Sequence, residues 1–259
     1  MSAPLMEFGG LVAGYGSSMI LRGVAGSVGA GEVLFVLGRN GVGKSTLMKA
    51  LMGFLPCRQG AVRYDGREVT ALPPPERRRA GITYCPQEGA VFDGLSVHDN
   101  LFLMAPPEAA ARLERLAGRF PLLGRRREQR AGTLSGGEKK ILSFVRGAIE
   151  DHRVALLDEP TEGVQAENIE RMESVIREQR AQGTAFVIVE QNLALAERLA
   201  DRWLVMDKGQ VGAGRRAPRT RGDHRAHPGV SAAPALNAPR TAAPPARRCR
   251  APTHSPCSR

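Results

Sequence analysis

The sequence predicts an α/β fold, on three observations. Short, almost wholly apolar runs such as Val33–Leu37 and Val154–Leu157 have the length and composition of strands covered on both faces. They alternate with segments of helical periodicity; Ile169, Met172 and Ile176 recur on one face of such a stretch. Gly-rich turns separate the two kinds of segment, as α/β connections require.

Taken in chain order, the first strand is Glu32–Leu37, an apolar run ended by Gly38, and the first helix is Lys44–Met52, with Leu47 and Leu51 one turn apart. Ala61–Tyr64 is a short strand stopped by the Asp65-Gly66 turn pair, and Ile82–Cys85 a strand stopped by Pro86. A helix over Val97–Met104 has Ser96 and Asp99 at its start, whose spacing resembles a capping box. Glu108–Phe120 and Gly136–Ile149 carry apolar residues three and four apart. Val154–Asp158, Ala185–Val189 and Trp203–Met206 are apolar strands, interleaved with helices at Ala166–Gln182 and Leu193–Ala200.

Composition excludes several classes. The 259 residues are 42% hydrophobic, enough for a buried core, yet no apolar run approaches the roughly 20 residues of a bilayer span. No basic-then-apolar segment opens the chain, so no secretory signal is expected. The four cysteines form no Cys-x-x-Cys pair, which disfavours a zinc site or disulfide framework. Of the net charge of +11, residues 212–259 hold ten Arg against one acid, so the preceding 211 residues are nearly neutral and nucleic-acid binding by them is not expected. That final stretch is Arg/Ala/Pro-rich with almost no large apolar residue, and is expected to be disordered.

Two motifs carry chemistry. Gly38-Arg39-Asn40-Gly41-Val42-Gly43-Lys44-Ser45 fits G-x-x-x-x-G-K-[ST] between an expected strand and helix. Its glycines let successive N–H groups turn inward on phosphate oxygens, the helix N-terminus adds a favourable dipole, and Thr46 continues that first turn. Lys44 is suited to the β- and γ-phosphates and Ser45 to Mg²⁺. Val154–Glu159 delivers two carboxylates to a strand end: Asp158 for the metal and Glu159 to polarise an attacking water. Together these indicate an NTPase, and no Asn-Lys-x-Asp guanine reader is present.

Between the two motifs, Leu134-Ser135-Gly136-Gly137-Glu138 opens a helix. With this third element the chain resembles the ATP-binding subunit of an ABC transporter over about residues 5–211. The resemblance implies a P-loop NTPase of the ABC ATPase type: a RecA-like core sheet, an N-terminal antiparallel β-region, and a helical lobe inserted at about 91–150, in a domain spanning 1–211. It implies that Tyr15, 23 residues before Gly38, stacks on adenine, and that Gln87 touches Mg²⁺ and faces the membrane subunit. It also implies that Leu134–Glu138 close over the ATP held by a second subunit, and that the cofactors are ATP and Mg²⁺. The implied partners are integral membrane permeases, a second ABC ATPase and, indirectly, a substrate-binding protein; the implied location is the cytoplasmic face of the membrane.

Three positions depart from the usual pattern. Glu138 replaces glutamine, Gln191 stands at the switch-histidine position, and Glu162-Gly163-Val164-Gln165 replaces Ser-x-Leu-Asp. An amide at 191 can hydrogen-bond the γ-phosphate or the water but cannot become an imidazolium. The runs Gly38–Lys44, Asp158–Gln165 and Val189–Asn192 are similar to the branch that energises uptake of branched-chain amino acids, urea and short amides. The alternatives are a soluble ABC ATPase acting on nucleic acid or ribosomes, and a weakly active structural subunit.

Overall fold

The computed structural model describes residues 3–89, 91–103 and 105–212, with the backbone of 215–216. The chain opens on a hairpin that hydropathy did not disclose: β1 (Met6–Tyr15) and β2 (Ser18–Val28), antiparallel, turned by Gly16-Ser17. Then come β3 (Val33–Leu37), α1 (Lys44–Met52), β4 (Cys57–Tyr64), β5 (Arg67–Glu68), α2 (Pro74–Arg79) and β6 (Ile82–Cys85). A purely helical insertion follows: α3 (Val97–Phe102), α4 (Ala109–Ala117), α5 (Pro121–Arg125) and α6 (Gly136–Ile149). The chain then returns through β7 (Val154–Asp158), α7 (Ala166–Ala181), β8 (Ala185–Val189), α8 (Leu193–Leu199) and β9 (Arg202–Asp207).

Two sheets result. The first is antiparallel, in the order β2-β1-β4-β5; the second runs β9-β3-β8-β7-β6, parallel throughout. An antiparallel edge is added on β9 by β10 (Gln210–Val211) and β11 (Arg215–Arg216). Composition assigned Arg215 and Arg216 to the tail, but their backbones pair with β9. The rest of that stretch, 213–214 and 217–259, lies outside the described residues.

The parallel sheet separates two cores. Val33, Phe35 and Leu37 of β3, Ala155 and Leu157 of β7 and Phe186 and Ile188 of β8 face the helical insertion, α7 and α8. Leu34, Val36, Val154, Leu156, Val187 and Val189 face α1 and the antiparallel sheet. Period-2 alternation with every position buried is the geometry that continuous apolar runs encode. Because the strands are parallel, their C-terminal ends bring Leu37, Cys85, Asp158 and Val189 to one edge, and the loops that leave it meet there. Glu108–Phe120, expected as one helix, is α4 followed by a break at Gly118 and a new start at Pro121.

Candidate active site

The loop after β3 turns through Gly41 (φ 78°) and Gly43 (φ 106°), values that a side chain would strain. Gly43 is the N-cap of α1 and offers no side chain, so the helix opens with unsatisfied donors. Among the described residues, no main-chain N–H from Asn40 through Thr46 finds a protein acceptor, which leaves a curled row of amides suited to an anion. Lys44, 4% exposed, lies across the loop: Nζ donates to the carbonyls of Gly38 (3.0 Å) and Arg39 (3.1 Å) and lies 3.5 Å from Glu159 Oε1.

Asp158, at the end of β7, is buried. Its Oδ1 accepts the Ser45 hydroxyl at 3.1 Å and its Oδ2 the Tyr84 hydroxyl at 3.2 Å. Burial pushes the Asp158 carboxyl above its ordinary pKa, and these two hydrogen bonds pull it back. Tyr84 is itself pushed up, first by burial and then by the Asp158 charge, so its hydroxyl keeps the proton it donates.

Glu159 is also buried and sits in the left-handed region (φ 47°). Its Oε2 accepts from Gln87 Nε2 (2.8 Å) and its Oε1 from Gln191 Nε2 (3.1 Å). The Gln191 amide also reaches Asn40 Oδ1 at 2.7 Å, and the Gln87 amide also reaches Glu162 Oε2 at 3.2 Å. Residues 38–46, 87, 158, 159 and 191 are thus brought into one constellation. It contains a cationic loop for an anion, a buried carboxylate beside a hydroxyl for a cation, and a carboxylate oriented by two amides.

Two expected groups make no hydrogen bond to it among the described residues. Tyr15 is half exposed at the end of β1. Leu134 is buried, while Ser135 and Gly136 are exposed at the start of α6, and no hydrogen bond joins them to the loop of 38–46 among the described residues. Ser135 caps α6 in a full capping box: its hydroxyl accepts Glu138 N–H (3.3 Å) and its own N–H donates to Glu138 Oε2 (2.9 Å). Arg126 also pairs with Glu138, at 3.1 Å, so this carboxylate is turned back on its own helix. A Cβ at Gly137 would lie 2.3 Å from the Gly163 carbonyl oxygen, whereas one at Gly136 meets nothing within 4 Å. The glycine at 137 is demanded from inside the chain; the one at 136 is not.

Sequence patterns did not single out three residues at this site. Tyr84 holds Asp158. Lys140 of α6 donates to the Glu159 carbonyl at 2.9 Å. Buried Glu190 accepts from Thr161 N–H (2.9 Å) and hydroxyl (2.6 Å), and from the N–H groups of Gln191 (3.0 Å) and Asn192 (3.3 Å). An acid after the apolar run of β8 was the one visible sign of Glu190; the other two contacts leave no trace in spacing.

The chain matches the model of the ABC transporter family over residues 21–162. It is 35% identical over 201 residues to the high-affinity branched-chain amino acid transport ATP-binding protein BraG of Pseudomonas aeruginosa, covering 76% of this chain and 86% of that protein. It is 33% identical to a probable branched-chain amino acid transport ATP-binding protein, LivF, of Archaeoglobus fulgidus, covering 78% of this chain and 87% of that one. It is 31% identical to the lipopolysaccharide export system ATP-binding protein LptB of Acidithiobacillus ferridurans, covering 80% and 88%. A solved ATP-binding subunit of an ABC transporter superposes with a TM-score of 0.75 at 28% identity, covering 82% of this chain and 90% of that one. Fold, site geometry and relatives agree: the chain belongs to the ABC transporter family, as an ATPase subunit.

Proposed function

We propose that this subunit powers an importer of branched-chain amino acids, urea or short amides, by binding ATP between two ATPase subunits and hydrolysing it with Glu159. The convergence of Lys44, Gln87 and Gln191 on the Glu159 carboxylate carries the proposal. One cation and two amides orient a carboxylate beside an anion-binding loop, which is the arrangement a water-activating base needs. The amides of 40–46 and Lys44 hold the phosphates, half-exposed Tyr15 stacks on adenine, and Gln191 orients the γ-phosphate or the attacking water. Ser135-Gly136-Gly137, at the exposed N-terminus of α6, caps the nucleotide of the neighbouring subunit. After hydrolysis that bridge is lost and the dimer opens.

The hydroxyl and carboxylate oxygens of Ser45 and Asp158 and the carboxamide oxygen of Gln87 are hard donors and fit Mg²⁺. Among the described residues no group of three His, Cys, Asp or Glu could hold a metal ion, so a cation here would draw most of its oxygens from phosphates and water. When bound, it would neutralise phosphate charge.

In this reading solute passes through separate permease subunits, with this chain on their cytoplasmic side, which fits a chain in which no described helix is long and apolar enough to cross a membrane. Phe92 fits their docking face: it is 53% exposed, and its backbone is pinned by Asn100, which accepts Phe92 N–H at 2.7 Å and donates to its carbonyl at 3.0 Å. The branched-chain relatives favour import. The likeness to LptB favours export as the second reading, and the permeases that co-purify decide between them.

Steady-state assays test the ATPase role. Wild type is expected to hydrolyse MgATP, while Glu159→Gln binds ATP, accumulates as a dimer and turns over at least a hundredfold more slowly. Equal, negligible rates in both would overturn the proposal in favour of an inert nucleotide-binding subunit.

A further inference from the structure

We infer that Lys140 is a positioning residue for hydrolysis: from α6 it fixes the main chain of Glu159 and so the aim of its carboxylate. The inference rests on the role proposed for Glu159.

Glu159 is one of three non-glycine residues with positive φ among the described residues, and it immediately precedes Pro160, where sterics favour extended backbone. A conformation disfavoured twice persists only when its surroundings hold it. Two contacts do so. The Glu159 N–H donates to the Val189 carbonyl at 2.9 Å, and the Glu159 carbonyl accepts Lys140 Nζ at 2.9 Å. Pro160 has no N–H, so no bond from the following peptide can substitute for the lysine.

Lys140 is well placed to bear this. Its side chain is 13% exposed, it pairs with Glu162 at 3.7 Å, itself 61% exposed, and its charge also reaches the Asp158 carboxylate. α6 cannot drift from the loop it grips, because Gly137 packs against the Gly163 backbone with no room for a Cβ. Without the ammonium, Glu159 is free to relax toward extended backbone. Its carboxylate then swings away from Lys44, Gln87 and Gln191, while the phosphate loop, which Lys140 does not touch, stays intact. The effect therefore falls on turnover and not on nucleotide affinity.

The test compares the full-length protein with Lys140→Met, Lys140→Arg and Glu162→Gln, alone and, for Lys140→Met, combined with Glu159→Gln. Lys140→Met is expected to lower kcat at least tenfold with the KM for MgATP within threefold, and Lys140→Arg to recover most of the loss. In single-turnover hydrolysis, adding Lys140→Met to Glu159→Gln is expected to cost less than twofold more, since both act through one carboxylate. Glu162→Gln, which keeps the carbonyl contact, is expected to cost less than Lys140→Met. The inference is overturned if Lys140→Met keeps kcat within twofold, if its loss persists undiminished beside Glu159→Gln, or if Glu162→Gln matches it. If Lys140→Met does not fold, the exposed Glu162→Gln and the charge-preserving Lys140→Arg still decide: a tenfold loss in either overturns it. A wild type that hydrolyses no MgATP would instead sink the functional reading itself.

Discussion

Arg77 offers the sharpest test of how α1 is held. It is 1% exposed in α2 and, among the described residues, has no carboxylate partner and donates only to main-chain carbonyls. Nε reaches Leu72 (2.9 Å), Nη1 reaches Ala50 (3.0 Å) and Leu51 (2.7 Å), and Nη2 reaches Thr70 (2.6 Å). Ala50 and Leu51 lie in the last turn of α1, so a cation sits at the negative end of the helix whose other end faces the phosphate loop. Burial pulls the guanidinium below its ordinary pKa, yet arginine stays charged at neutral pH. Arg77→Met fills similar volume but leaves the carbonyls of Leu51, Thr70 and Leu72 without a donor, while Ala50 keeps the N–H of Gly53 at 3.1 Å. At about 1–3 kcal/mol per orphaned acceptor, offset by no longer burying a charge, the net loss is about 3 kcal/mol. For a domain of this size that is a drop in Tm of about 6–12 °C. Far-UV circular dichroism melts with and without MgATP measure it. A variant melting within about 2 °C of wild type would show that these bonds do not anchor α1.

Two further outcomes follow from the geometry. Burial pulls His152 down to about 4, the Glu150 carboxylate opposing, and neither ring nitrogen has a hydrogen-bond partner among the described residues. The folded pKa lies below the unfolded value of 6.5, so folding favours the neutral ring: stability is full above about pH 6.5 and falls toward pH 4, by on the order of 3 kcal/mol. His152→Gln should flatten that slope in melts between pH 7 and 4.5. The raised Asp158 carboxyl acts in the opposite sense but is common to both proteins, so identical slopes would refute the assignment. Gly137→Ala should destabilise by about 1–3 kcal/mol through its clash with Gly163, whereas Gly136→Ala should leave the melt unchanged or raised and weaken MgATP-dependent dimers at least tenfold. Size exclusion in a Glu159→Gln background reads the dimer; two alanines with matching effects would refute the distinction.

The parallel core was legible because its strands are buried on both faces. β6, β7 and β8 have the bounds that their apolar runs and stops imply, and α1 and α6 those implied by glycine punctuation. β1 and β2 were implied only by the family resemblance, as an N-terminal antiparallel region, because their pairing shifts register at Phe8–Leu11, Leu11–Val12 and Ala13–Gly14, which breaks the alternation a strand displays. α2, Pro-Pro-Glu-Arg-Arg-Arg, has no apolar face; its one buried side chain is a charged residue bonded to carbonyls. At the site, the curled loop of 38–46 was legible because its shape is carried by glycines in a fixed local pattern. Tyr84 and Asp158 lie 74 residues apart, and Lys140 and Glu159 19 apart on separate elements, so only tertiary structure joins them.

The four hydrogen bonds that Glu190 accepts weld the turn beginning at Thr161 to the one containing Gln191 and Asn192. The main chain at 191 is therefore held by its neighbour, which leaves the Gln191 side chain to bond Asn40 and Glu159. A substitution at 191 would then change the chemistry at that position without redrawing the scaffold around it. The same weld makes Glu190 the residue whose loss would unmoor both turns together.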